Sequence, residues 1–172
     1  MRKDQGFTLI ELIIVVAIIS IIAAIAVPGL LRARMTGNET SAIASMRITT
    51  TSQVAYSASC GNGNYAADYM VLGTPVVVGS QAFISADLGL SALPQKSGYN
   101  FTMGAGASGA GVQDCLARAT NAGYYATAVP ISFGVTGTRS FAVNAGNSVW
   151  QSTTAGAPTE PFAASATVSP IQ

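Results

Sequence analysis

Hydrophobic and polar positions divide the chain into three stretches of different character. Residues 1–6 are short, polar and basic, residues 7–31 are almost wholly apolar, and from Arg32 onward the two kinds mix. The apolar stretch holds 25 residues, which as a helix rising about 1.5 Å per residue reaches roughly 37 Å, enough to cross a bilayer core. Beyond it, Ile43, Met46, Thr50 and Val54 recur at three- and four-residue steps, which predicts one face of an amphipathic helix. Gly37-Asn38 marks either a break or a fresh cap in that helix, and Cys60-Gly61-Asn62-Gly63-Asn64 stops it near Ser59. Residues 65–96 show no period. The apolar pieces Val76-Val77-Val78 and Ala82-Phe83-Ile84 lie there among turn formers, so a loop region with one short helix or strand is expected. Gly98–Met103, Tyr124–Ser132 and Ser140–Asn144 have strand character, the last forming a hairpin with Ser148–Gln151 across Ala145-Gly146-Asn147. The prediction is an α+β fold, with a long N-terminal helix whose amphipathic half packs on a small antiparallel sheet. The tail from Thr153 to Gln172, rich in Ala, Ser, Thr and Pro, is expected to be exposed and mobile.

Three readings of the N-terminus compete. A disposable secretory signal would be cut after the small-x-small triplet Ala24-Ile25-Ala26. A plain membrane anchor would be kept whole. In the third reading a short leader is cut ahead of the apolar run, which stays with the mature chain. Arg2 and Lys3 in front of the run and Arg32 and Arg34 behind it leave the orientation undecided by charge counting. Glu11 separates the readings, because an unpaired carboxylate costs on the order of 3 kcal/mol near the centre of a membrane helix and less toward its end. A signal that is thrown away gains nothing from such a charge.

Gly6-Phe7-Thr8-Leu9-Ile10-Glu11 resembles the leader junction of type IV pilins and of type II secretion pseudopilins. The resemblance implies that a membrane peptidase cuts between Gly6 and Phe7 and methylates the new amine of Phe7. It further implies that Glu11, fifth in the mature chain, meets the N-terminal amine of a neighbouring subunit. Pro28 falls where these pilins carry a proline; it predicts a kink in a continuing helix, the alternative being that it ends the helix. Ser20 and Ala24 form a small-xxx-small pair suited to close helix approach. The implied organisation is a leader at 1–6, a membrane and filament-core helix at 7–31, and a head at 32–172. The implied partners are further copies of the chain in a helical filament, the prepilin peptidase and methylase, an inner-membrane assembly platform, and minor pilins or pseudopilins. The chain would sit in the inner membrane before assembly and in a periplasmic or cell-surface filament afterwards. A pseudopilin of a secretion system is the alternative within this class, and a monomeric membrane-anchored binding domain the alternative outside it.

Composition narrows the chemistry. Eight Lys and Arg stand against seven Asp and Glu with no His, so no basic field exists to hold nucleic acid, and no histidine-dependent nucleophile can be built. No enzymatic activity, cofactor or metal is expected. Cys60 and Cys115 both follow the apolar run, which fits an exported, oxidising setting and predicts a disulfide, with two buried thiols as the alternative. Gly104-Ala105-Gly106-Ala107-Ser108-Gly109 spells a dinucleotide-binding pattern, but it runs on into loop rather than opening a helix. Asp68, Asp87, Asp114 and Glu160 are scattered singly, too thinly for a calcium cluster. Asn38-Glu39-Thr40 and Asn100-Phe101-Thr102 satisfy the glycosylation triplet, as many chains do by chance.

Overall fold

The computed structural model describes residues 6–77 and 79–171; residues 1–5 of the expected leader, Val78 and Gln172 lie outside the described residues. The chain forms two compact units, dividing after Arg34. Helix α1 (Leu9–Ser59) supplies all of the first unit beyond its opening residues and the first element of the second. It continues through Pro28, so the proline does not end it, and through Gly37-Asn38 without a break. Its end at Ser59 is where the Gly-Asn cluster was expected to stop it. There the Gly61 amide bonds the Tyr56 carbonyl at 2.8 Å, closing the last turn.

The second unit carries a six-stranded sheet in the order β2-β3-β5-β6-β7-β8, antiparallel throughout. Its strands are β2 (Gln95–Lys96), β3 (Tyr99–Gly104), β5 (Tyr125–Pro130), β6 (Ser140–Asn144), β7 (Trp150–Ser152) and β8 (Val168–Pro170). Strands β1 (Tyr65–Ala66) and β4 (Thr120–Asn121) pair separately. The expected strands and the β6–β7 hairpin are therefore present, and the fold is α+β. Two segments hold more structure than their composition suggested. Residues 65–96 contain β1, α2 (Tyr69–Gly73), α3 (Ala86–Gly89) and β2, and α2 and α3 lie so close that a Cβ on Gly73 would collide with the Gly89 backbone. The tail expected to be loose returns as β8, with Ser152 opposite Val168 and Trp150 opposite Pro170.

Sheet and helix meet over aromatic side chains. Tyr56, Tyr69, Tyr99, Phe101 and Phe141 are fully buried, together with Met46. The helix face they cover is Ala42, Ser45, Met46, Thr49, Ser52, Gln53 and Tyr56, one stripe of a 3.6-residue period. This corrects the predicted stripe: Met46 lies at its centre and Ile43 and Thr50 at its margin, but Val54 is 47% exposed. Of the polar residues on this face, Thr49, Ser52 and Gln53 find partners, while the Ser45 hydroxyl is buried without one. Thr49 Oγ1 donates to the Ser45 carbonyl at 2.9 Å, and Gln53 clasps Ala66 by accepting from its amide (2.9 Å) and donating to its carbonyl (3.1 Å). A buried amide with both ends paired costs little.

Candidate processing and assembly segment

In the first unit every residue from Gly6 to Arg34 is exposed. Phe7 is 89% accessible. The helix here is one long and apolar enough to cross a membrane, with none of its apolar window buried by the rest of the protein. A span of this kind in water would expose more apolar surface than a soluble monomer tolerates, so it needs lipid or another helix.

Gly6 and Phe7, the pair expected to flank the cut, precede the helix and are exposed, and a side chain added at Gly6 would touch nothing within 4 Å. Thr8 stands at the N-cap position. The Glu11 amide donates to Thr8 Oγ1 (3.3 Å), while Glu11 Oε2 accepts from the Thr8 amide (2.9 Å) and hydroxyl (2.7 Å). This is a capping box, in which the first turn's spare donors are satisfied reciprocally and the carboxylate sits at the positive end of the helix. The T-x-x-E spacing is the sequence signal for it, which a reading of Glu11 by its charge alone passes over. Both accepted bonds fall on Oε2, which leaves Oε1 for a second partner. Further along, Ser20 Oγ bonds its own helix at the Val16 carbonyl (2.8 Å), so the hydroxyl is satisfied without a neighbour and the Ser20–Ala24 surface stays small and smooth.

The second unit has two polar knots that the sequence did not announce. Cys60 and Cys115 form the predicted disulfide, and the Cys115 amide bonds the Cys60 carbonyl at 2.8 Å. Beside it the buried Asp114 carboxylate accepts from the Tyr56 hydroxyl (2.7 Å), the Leu116 and Arg118 amides (2.8 Å each) and Arg118 Nε (2.7 Å). Burial works against the Asp114 charge, but the Arg118 amide, the Tyr56 hydroxyl, the Arg118 guanidinium and the Leu116 amide outweigh it and lower the pKa to about 2. The second knot is Glu39. Its Oε1 accepts from the Thr138 amide (2.7 Å) and hydroxyl (2.8 Å), and its Oε2 from Arg139 Nε (2.8 Å). Burial again opposes ionisation, and the Thr138 and Arg139 donors reverse it, so the pKa falls below its ordinary value.

Gly106–Ser108 is a single 3-10 turn, without the helix a phosphate cradle requires. Among the described residues no three metal-ligating side chains converge. Asn38 is held by donating to the Thr136 carbonyl (3.0 Å), and Asn100 lies within paired strand β3.

An exposed apolar helix with a capped glutamate in its first turn, attached to a helix-on-sheet head, is the architecture the pilin resemblance implied. Residues 1–27 match the family described as "Prokaryotic N-terminal methylation motif". The chain is also similar to the Type IV wide pilus major component PilA4 of Thermus thermophilus, with 60% identity over 40 residues. That alignment covers 23% of this chain and 30% of the relative, so the chain matches less than a third of the relative's length. No solved structure matches.

Proposed function

We propose that this protein is the structural subunit of a type IV pilus-like filament. In this reading the precursor enters the inner membrane through residues 9–31, a prepilin peptidase hydrolyses the Gly6–Phe7 bond, and the amine of Phe7 is methylated. Subunits then leave the membrane through an assembly platform and bundle their apolar helices. The observation that carries the reading is the uncovered apolar helix beginning at the Thr8–Glu11 box. Its apolar surface calls for a bundle or a bilayer, and its one acid sits two turns or less from the amine that cleavage would create. Glu11 Oε2 keeps its own Thr8 while Oε1 takes the ammonium of a neighbouring Phe7. A charge carried into an apolar bundle needs such a partner, and pairing fixes the axial register between copies. The match to the methylation motif and the similarity to the pilus component named above support the same reading.

Intact mass and N-terminal sequencing of the protein from the producing cell's envelope test it. A chain beginning at methylated Phe7 is expected; one beginning at Val27, after Ala24-Ile25-Ala26, would make the apolar run a discarded signal and overturn the filament.

A further inference from the structure

The head, residues 35–172, carries four basic and five acidic side chains, and most of them find partners within it. Six are joined in three ion pairs: Lys96 Nζ to Asp87 Oδ2 (2.6 Å), Arg118 Nε to Asp114 Oδ2 (2.7 Å) and Arg139 Nη2 to Glu39 Oε2 (2.7 Å). Glu160 is held on both oxygens by neutral donors, Oε1 by Asn144 Nδ2 (2.7 Å) and Oε2 by the Ala107 amide (3.0 Å). Two charges remain. Among the described residues the Arg47 guanidinium has no hydrogen-bonded or ionic partner. Asp68 caps α2 by accepting from the Val71 amide at Oδ1 (3.0 Å), and among the described residues its Oδ2 has no partner.

Arg47 borders a depression of about 360 Å³ between α1 and the β6–β7 turn, where Thr50 and Thr51 lie across from Asn147 and Ser148. Both threonine hydroxyls donate to their own helix, at the Met46 and Arg47 carbonyls (3.2 and 3.1 Å), so they offer a guest only lone pairs. The charge of the depression is therefore that of Arg47 alone, and its apolar lining is Val149 and Ile171. Asp68 has the complementary character. It is half-buried at the start of α2, and Met70, two residues on, is 51% exposed. An acid beside an exposed thioether matches a cation beside two aliphatic side chains.

We propose that Arg47 of one copy takes the Asp68 carboxylate of a second copy of this chain, with Met70 of that copy entering the depression against Val149 and Ile171. The contact rests on the filament reading given above. Copies in an open helical array meet through two unlike patches, and the head supplies an unpaired cation on α1 and an unpaired acid oxygen ahead of α2. A lone exposed ion pair contributes little, so free subunits stay apart. In a filament the same contact recurs at each subunit and accumulates.

A double-mutant cycle in the full chain tests this, with sheared surface filaments measured for the wild type, Arg47→Glu, Asp68→Asn and the pair together. Asparagine keeps a cap oxygen for the Val71 amide, and Arg47 is exposed, so melts of the detergent-solubilised chains should agree. Arg47→Glu sets two acids against each other and should lower filament yield about tenfold. Asp68→Asn only removes the pair and should lower it about threefold. The double variant has lost the clash, so its yield should rise from the Arg47→Glu level to that of Asp68→Asn. A folding defect could only lower the double variant further, so recovery has no merely structural explanation. Losses that multiply, or a wild-type yield from either single variant, overturn the pairing while leaving the filament intact. Recovery of Arg47→Glu by Glu160→Gln in place of Asp68→Asn gives Arg47 a different acid and also overturns it. A wild-type chain that forms no filament removes the filament reading and the contact together.

Discussion

Glu11 has two duties that one substitution can separate. Its bonds to Thr8 cap the helix, and its charge is proposed to neutralise a neighbour's amine. Glutamine serves at the third position of a capping box but carries no charge. Glu11→Gln should therefore keep the helix cap and still abolish filaments, as seen in the sheared surface fraction, whereas Glu11→Ala should lose both. Filaments from Glu11→Gln would reduce the residue to a cap. Asp114 offers a second test at this scale. Its pKa is depressed from 3.8 to about 2, so its contribution is fully present above the ordinary value and is lost as pH falls through the folded one. Stability followed by urea unfolding in detergent should hold from pH 7 to about 4 and decline toward pH 2. Glu39, also lowered, adds to the same slope. Asp114→Asn should cost roughly 2 kcal/mol at pH 7 and flatten part of that decline.

Among elements, α1 shows how far a hydrophobic pattern leads. The buried face of its second half runs through Ala42, Met46, Thr49, Gln53 and Tyr56, while Ile48 and Val54 point outward at 43% and 47% exposure. Met46→Ala should thus cost about 2–5 kcal/mol, and Val54→Ala less than about 0.5, in matched thermal melts of the head. A larger loss at Val54 would restore the stripe that the sequence suggested. Long elements with strong punctuation were legible: the stop of the helix at Cys60-Gly61, and the strands around Phe101, Thr127 and Phe141. The helix face was not, because Thr49 and Gln53 are accommodated in the core by partners distant in sequence, such as Tyr69 and Ala66. Strand β8 was hidden for a related reason. Val168-Ser169-Pro170 has no strand character beyond one valine, and it pairs only because β7 offers an open edge. The apolar run and the T-x-x-E spacing at Thr8–Glu11 are local signals, whereas the Asp114 and Glu39 knots depend on Tyr56, Arg118 and Arg139 being brought together by the fold.

For the whole molecule, the division of labour between the two units makes a prediction about independence. Among the described residues, every buried one lies between Glu39 and Pro158, and the disulfide closes a 55-residue separation inside that range. None of the first unit's described side chains is covered, so the head's core does not depend on them. Residues 35–172 expressed alone in an oxidising compartment should therefore melt cooperatively and elute as a monomer without detergent, and the full chain should require detergent or lipid. The head is small and its buried helix face is partly polar, which makes the cross-link matter: Cys60→Ser with Cys115→Ser should lower its unfolding free energy by about 4 kcal/mol, the chain-entropy value for a loop of this length. That loss is a large share of the roughly 5–15 kcal/mol typical of a domain. If the reduced head melts at the same temperature as the oxidised one, the Asp114 knot and the Cys115–Cys60 backbone bond hold the end of α1 to its loop without the cross-link, and Asp114→Asn in the cysteine-free head should then lower the melting temperature further.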